Sequence, residues 1–304
     1  MRKFYVRVLA LILCIQFNSI ASAEVIEFES YEPGDHQKIF AGDWKINPFK
    51  SRAKFERAEN SNSPLVVFNP GWGGSDKYDA AFKDMSKRLG NSYHRIFLSH
   101  SDEIDLAGRT VTIFQAVRAV RREGLNPSKI FVIGASGGGQ EGIHSTHLKT
   151  SQSLGGDEIK IDAVVAFYPS CRVSFKDNKF RNASILMFLG GKDKVAPAPL
   201  CTELSDNRGL KHAEIVTFED AGHSWLMTGS AKNSRQRTWE DCKIEINESG
   251  VWYGEGYDST DGIGKILRGM GKKCRNKVNM KTGREKQVYD QSVSKAVSYI
   301  KSIQ

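Results

Sequence analysis

The stretch Lys129-Ile130-Phe131-Val132-Ile133-Gly134-Ala135-Ser136-Gly137-Gly138-Gly139 decides the fold of this chain. Its apolar opening has the composition and length of a strand buried on both faces. It runs straight into Gly-x-Ser-x-Gly, where small neighbours let the backbone turn sharply from strand to helix and lift the serine hydroxyl clear of the sheet. The residues after Gly139 keep a helix-compatible pattern, and the start of that helix favours negative charge developing beside Ser136. A phosphate-binding loop is the rival reading. It wants Lys-Ser/Thr after its last glycine, and Gln140-Glu141 stands there instead.

A nucleophilic hydroxyl needs a base, and the base needs a carboxylate to orient it. Downstream, the run Ile185–Leu189 ends in Gly190-Gly191-Lys192-Asp193, and Glu214–Phe218 is followed by Glu219-Asp220-Ala221-Gly222-His223. Asp193 and His223 therefore sit at the C-terminal ends of predicted strands, where open parallel sheets gather their ligands, and in the order acid then histidine. Glu219 and Asp220 are alternative acids, although both precede His223 by only a few residues. The oxyanion of acyl transfer needs two backbone donors. One is expected from Gly137. The other is expected from Trp72, in the loop Asn69-Pro70-Gly71-Trp72-Gly73-Gly74 after an early strand. The substrate pocket is expected to be walled by Trp72, Tyr168 and Trp225. His144 and His147 lie three apart on the helix after Ser136, with no carboxylate or cysteine to complete a metal site, and read as packing or surface groups.

Around these segments the chain alternates short apolar runs with longer helical patterns, which predicts an α/β fold with a mostly parallel central sheet flanked by helices. Predicted strands are Leu65–Asn69, His94–Ser99, Lys129–Gly134, Ala163–Tyr168, Ile185–Leu189 and Glu214–Phe218. Predicted helices are Ala80–Leu89, Thr110–Glu123, Gly137–Lys149, Pro199–Leu210 and Tyr289–Ile303. Val25–Phe55 alternates and reads as antiparallel strands at the sheet edge. Residues 226–286 show no sustained period and are left as a lid or an insertion within one domain spanning 24–304.

The 304 residues carry a formal net charge of +9. Arg2, Lys3 and Arg7 precede an apolar run from Val8 to about Phe17, and Ala21-Ser22-Ala23 follows, the pattern of a signal peptide (residues 1–23) cleaved after Ala23. The run is shorter than the roughly 20 residues a transmembrane helix needs. A secreted or periplasmic protein, with no integral membrane segment after cleavage, is the expectation. Cleavage leaves Cys171, Cys201, Cys242 and Cys274, an even number that suggests two disulfides and argues against a catalytic thiol. Basic residues crowd the C-terminal region (Lys265, Arg268, Lys272, Lys273, Arg275, Lys277, Lys281, Arg284, Lys286) and read as a solvated face. Interleaved aromatics are lacking, so a nucleic-acid partner is not expected.

From Leu65 to Trp225 the chain resembles the dienelactone hydrolase family of the α/β-hydrolases. The resemblance rests on Pro-Gly-Trp-Gly-Gly at 70–74, Gly-Ala-Ser-Gly-Gly at 134–138, Phe-Tyr-Pro-Ser-Cys at 167–171, Gly-Gly-Lys-Asp at 190–193, the run Ala196 to Cys201, and Ala-Gly-His at 221–223. It implies hydrolysis of a small-molecule ester or lactone without metal or organic cofactor. Two departures stand out: founding members use a cysteine where this chain has Ser136, and their oxyanion loop usually opens His-Gly where this one has Pro70-Gly71. Cys171 and Cys201 follow consecutive parallel strands, whose ends lie within disulfide reach. That pairing leaves Cys242 with Cys274. An exported peptidase or thioesterase using the same residues, or a hydrolase-fold binding protein without turnover, are the alternative functions.

Overall fold

In the computed structural model the residues described are 23–101, 104–207, 209–210, 212–238, 243–254, 257–259 and 276–303. The predicted signal sequence before Ala23 and both Cys242 and Cys274 lie outside them, as does most of the basic C-terminal cluster.

Eight strands build the central sheet. Two come from the alternating N-terminal segment, β1 (Glu24–Tyr31) and β2 (Pro48–Glu56). The six apolar runs supply β3 (Leu65–Asn69), β4 (His94–Leu98), β5 (Ile130–Ala135), β6 (Ala163–Phe167), β8 (Ser184–Gly190) and β9 (Ala213–Phe218), with a short β7 (Val173–Phe175) standing apart. The order across the sheet is β1-β2-β4-β3-β5-β6-β8-β9. The β1–β2 and β2–β4 pairings are antiparallel, and every pairing from β4 to β9 is parallel. Ile133 sits opposite Phe68 on one side and Val165 on the other, so the register stacks apolar runs on apolar runs.

Alternation along these strands feeds two cores. On one face Leu65, Val67, Val132, Val164 and Met187 pack with helices α3 (Leu106–Arg122), α5 (Leu148–Gly155) and α6 (Ala198–Asn207). On the other, Val66, Phe68, Phe131, Ile133 and Phe188 pack with α2 (Asp79–Leu89) and the final helix α7 (Lys286–Ser302). The short α1 (His36–Ala41) closes beside α5.

Three expectations are corrected. The helix expected from Thr110 begins a turn earlier at Leu106, because the Asp105 side chain caps it by accepting from the Gly108 amide at 2.7 Å. That extra turn buries Arg109. The helix expected over Gly137–Lys149 breaks into α4 (Gly137–Ser145) and α5. Ser145 and Thr146 hydroxyls bond back to the carbonyls of Gly142 and Ile143, and His147 is extended. Residues 226–286 contain strands that the sequence did not reveal. The antiparallel pair β10 (Lys232–Thr238) and β14 (Asn276–Thr282) forms one ribbon. The strands β11 (Ile244–Ile246), β12 (Trp252–Gly254) and β13 (Tyr257–Ser259) extend from β7 as a separate small sheet. Among the described residues no helix is long and apolar enough to cross a membrane.

Candidate active site

Ser136 stands at the tip of the turn between β5 and α4 with φ 51° and ψ −119°, a conformation an L-residue adopts only under constraint. The constraint is packing on both sides. A Cβ at Gly134 would overlap the Gly138 carbonyl, and one at Gly138 would overlap the carbonyls of Asn69 and Pro70. The Ser136 amide is tied to the Phe167 carbonyl at 2.8 Å, which fixes the turn to β6.

Asp193 follows β8, and its side chain is fully buried. One oxygen accepts from the amides of Val195 (2.8 Å) and Ala196 (2.9 Å), and the other lies 2.6 Å from His223 Nδ1. An acceptor-only carboxylate accepts a hydrogen bond from Nδ1–H, which leaves the Nε2 lone pair for the serine hydroxyl. His223 Nε2 is 3.2 Å from Ser136 Oγ. Hydroxyl, imidazole and carboxylate thus form one unbroken chain. Asp220, the alternative acid, is instead exposed and paired with Lys192 at 2.6 Å, and Glu219 is exposed.

The histidine loop is held from outside by β14. The His223 amide donates to the Lys281 carbonyl at 3.3 Å, and the Gly283 amide donates to the His223 carbonyl at 3.1 Å. A cavity of about 520 Å³ opens beside this junction, lined by Ser224, Thr228, Ser230, Gln236 and Thr282.

Trp72 is 45% exposed, and its indole lies so close to the nucleophile turn that a Cβ at Gly137 would overlap it. The two expected oxyanion donors therefore belong to adjacent segments. Tyr168 and Trp225, expected as pocket walls, are buried instead. The Tyr168 ring meets His223 edge-on at 4.8 Å and Trp225 at 4.6 Å, and the Trp225 indole N–H donates to Ser292 on α7 at 3.2 Å. These rings back the imidazole from the core side, where apolar area is best hidden, and present no surface to a ligand. His144 and His147 are buried packing groups. Contrary to expectation a carboxylate does accompany them: Asp177 lies 2.7 Å from His147 Nε2. Among the described residues no cluster of three or more metal-ligating side chains occurs. Cys171 and Cys201 form a disulfide with Cα atoms 5.1 Å apart.

Four polar residues behind the site went unrecognised in the sequence: Asn69, His100, Arg109 and Glu141, all buried. The available signal was positional. Glu141 lies one turn into a helix that must pack on the sheet, and Arg109 interrupts an apolar helix face.

Residues 98–248, about half of the chain, match the model of the "Dienelactone hydrolase family". No curated protein sequence matches the chain. Among solved structures, the native form of the Thermogutta terrifontis esterase Est2 is similar at a TM-score of 0.48 and 16% identity, over 61% of this chain and 82% of that one. Its butyrate-bound form gives a TM-score of 0.48 and 17% identity, over 65% and 87%. Over residues 98–248, which contain the turn at Ser136, Asp193 and His223, the chain is thus similar to the dienelactone hydrolase family, on an α/β fold with a mostly parallel central sheet.

Proposed function

We propose that the protein is an exported serine hydrolase that cleaves carboxylic esters or lactones through Ser136, His223 and Asp193. The observation that carries this reading is the unbroken chain from Ser136 Oγ through His223, at 3.2 Å, to Asp193, at 2.6 Å. His223 Nε2 takes the proton of Ser136 as Oγ attacks the ester carbonyl carbon, and Asp193 stabilises the resulting imidazolium. The amides of Gly137 and Trp72 receive the oxyanion. Collapse breaks the bond to the alkoxy group, which leaves with the proton from His223, and an acyl group remains on Ser136. Water, deprotonated by the same imidazole, then attacks the acyl carbon and releases the acid.

The test is a panel of aryl esters, lactones, thioesters and peptides assayed with purified protein beginning at Glu24. Turnover of esters or lactones that disappears in Ser136→Ala is expected. Preference for thioesters or peptides would replace the ester assignment, and full ester turnover by Ser136→Ala would end the serine mechanism.

A further inference from the structure

We propose that Asn69, Arg109 and Glu141 form a buried lock that holds the two oxyanion donors in register, so that these three are positioning residues for the reaction; the proposal rests on the serine hydrolase reading above. The two donors come from elements far apart in sequence, Trp72 in the loop after β3 and Gly137 at the start of α4. The lock bridges those two segments. From the Asn69 side chain, Nδ2 donates to the Gly138 carbonyl at 3.1 Å and to Glu141 at 2.8 Å, while His100 Nε2 sits 2.7 Å from Asn69 Oδ1. Asn69 therefore ties its own loop to the first turn of α4.

Arg109 makes the second tie. Its Nη2 donates to the Pro70 carbonyl at 2.6 Å, its Nε lies 2.9 Å from Glu141, and its guanidinium stands 5.6 Å from the Trp72 ring. The contact between Nε and Glu141 is an ion pair whose N–H is not aimed at the oxygen; the well-directed bonds are those to Pro70 and from Asn69. Proline has no N–H and no polar side-chain atom, so its carbonyl is the one handle by which residue 70 can be held.

Arg109 is 1% exposed, and Asn69 and Glu141 are fully buried. Burial pushes the Glu141 carboxyl up from its ordinary value, and the Arg109 charge opposes that shift. A buried ion pair is a poor way to gain stability, since apolar residues of similar volume often serve as well. Direction comes from the bonds around the pair: Arg109 to the Pro70 carbonyl, and Asn69 to the Gly138 carbonyl and Glu141, set the angles between a loop and a helix start. Oxyanion donors are sensitive to such angles, because losing one costs about 10²–10³-fold in rate and a shift of about 1 Å costs about 10²-fold.

The experiment uses the double variant Arg109→Met/Glu141→Met, which removes both charges together, and Arg109→Lys, which keeps the charge but loses the planar fork. Melting temperature, kcat and KM on a short aryl ester, and inhibition by a phenylboronic acid (a tetrahedral adduct at a reactive serine) are measured for each. The lock predicts a folded double variant with KM within about threefold of the parent, kcat lower by about 10²-fold, and boronate affinity weakened by a similar factor. Arg109→Lys should move in the same direction, and it decides the matter if the double variant does not fold. Unchanged kcat and boronate affinity in a folded variant would overturn the lock and leave a structural ion pair. A parent protein with neither turnover nor boronate binding would instead remove the hydrolase reading itself.

Discussion

Both oxygens of Asp193 are committed, one to two backbone amides and one to His223. Replacing the carboxylate by a carboxamide of the same shape offers N–H where an acceptor is needed, so the imidazole adopts the wrong tautomer. Asp193→Asn should lower kcat on an aryl ester by about 10³–10⁴-fold with little change in fold, which steady-state kinetics and circular dichroism check. That Ser136, Asp193 and His223 come together was legible in the sequence because each follows the end of a strand, and glycines beside two of them announce tight turns. Tyr168 and Trp225 were misread for a physical reason. Proximity to a site along the chain does not say which way a side chain points, and large rings with a core to enter went inward. Glu141 and Arg109 escaped notice because a charged side chain in a helical pattern reads as an outward one unless its partner is known.

At the scale of elements, the seam between α1, α4 and the small β7-β11-β12-β13 sheet is filled with rings. His36 packs against His144, Phe175 and Trp252, and His147 stacks on Phe175. Burial lowers the pKa of His144 to about 4 and that of His36 well below its ordinary value. Asp177, against His147, is the carboxylate in contact with these rings. A histidine with a lowered native pKa is protonated first in the unfolded chain, so its contribution is intact above about pH 6.5 and is lost as pH falls toward 4. His144 alone should account for about 3 kcal/mol of that loss. Urea unfolding between pH 7 and 4 measures it, and His144→Gln, whose amide nitrogen reaches the Nε2 position facing the Val173 carbonyl, should flatten the slope. These small strands were illegible beforehand because three-residue strands show no period. The ribbon strand β10, Lys-Asn-Ser-Arg-Gln-Arg-Thr, has no apolar residue to announce it. The parallel strands β3, β4, β5, β6, β8 and β9 behaved oppositely: each is an apolar run long enough to declare itself, and the structure moves its ends by no more than a residue or so.

Across the whole molecule, Ser136, His223 and Asp193 meet at the C-terminal ends of the parallel strands, and more distant parts of the chain brace that edge. The Cys171–Cys201 bridge joins the segment after β6 to α6, closing a loop that contains Asp193. With a sequence separation of 30, chain-entropy arithmetic gives about 3.5 kcal/mol of stabilisation. Paired Cys171→Ser/Cys201→Ser substitution should lower the denaturant-derived stability by about that amount. An unchanged midpoint would show that the loop is already fixed by β6, β8 and α6 alone. The segment that grips His223, β14 with Gly283 after it, lies beyond the matched family stretch, so the geometry of the histidine depends on the C-terminal region as well as on the sheet.

The most direct test of the account is covalent. The protein is treated with a fluorophosphonate probe and digested, and the labelled peptide is sequenced by mass spectrometry. The account predicts a single adduct on Ser136 that is absent in Ser136→Ala and formed far more slowly in His223→Ala. An unlabelled folded protein, or a stoichiometric adduct on another residue, would contradict it.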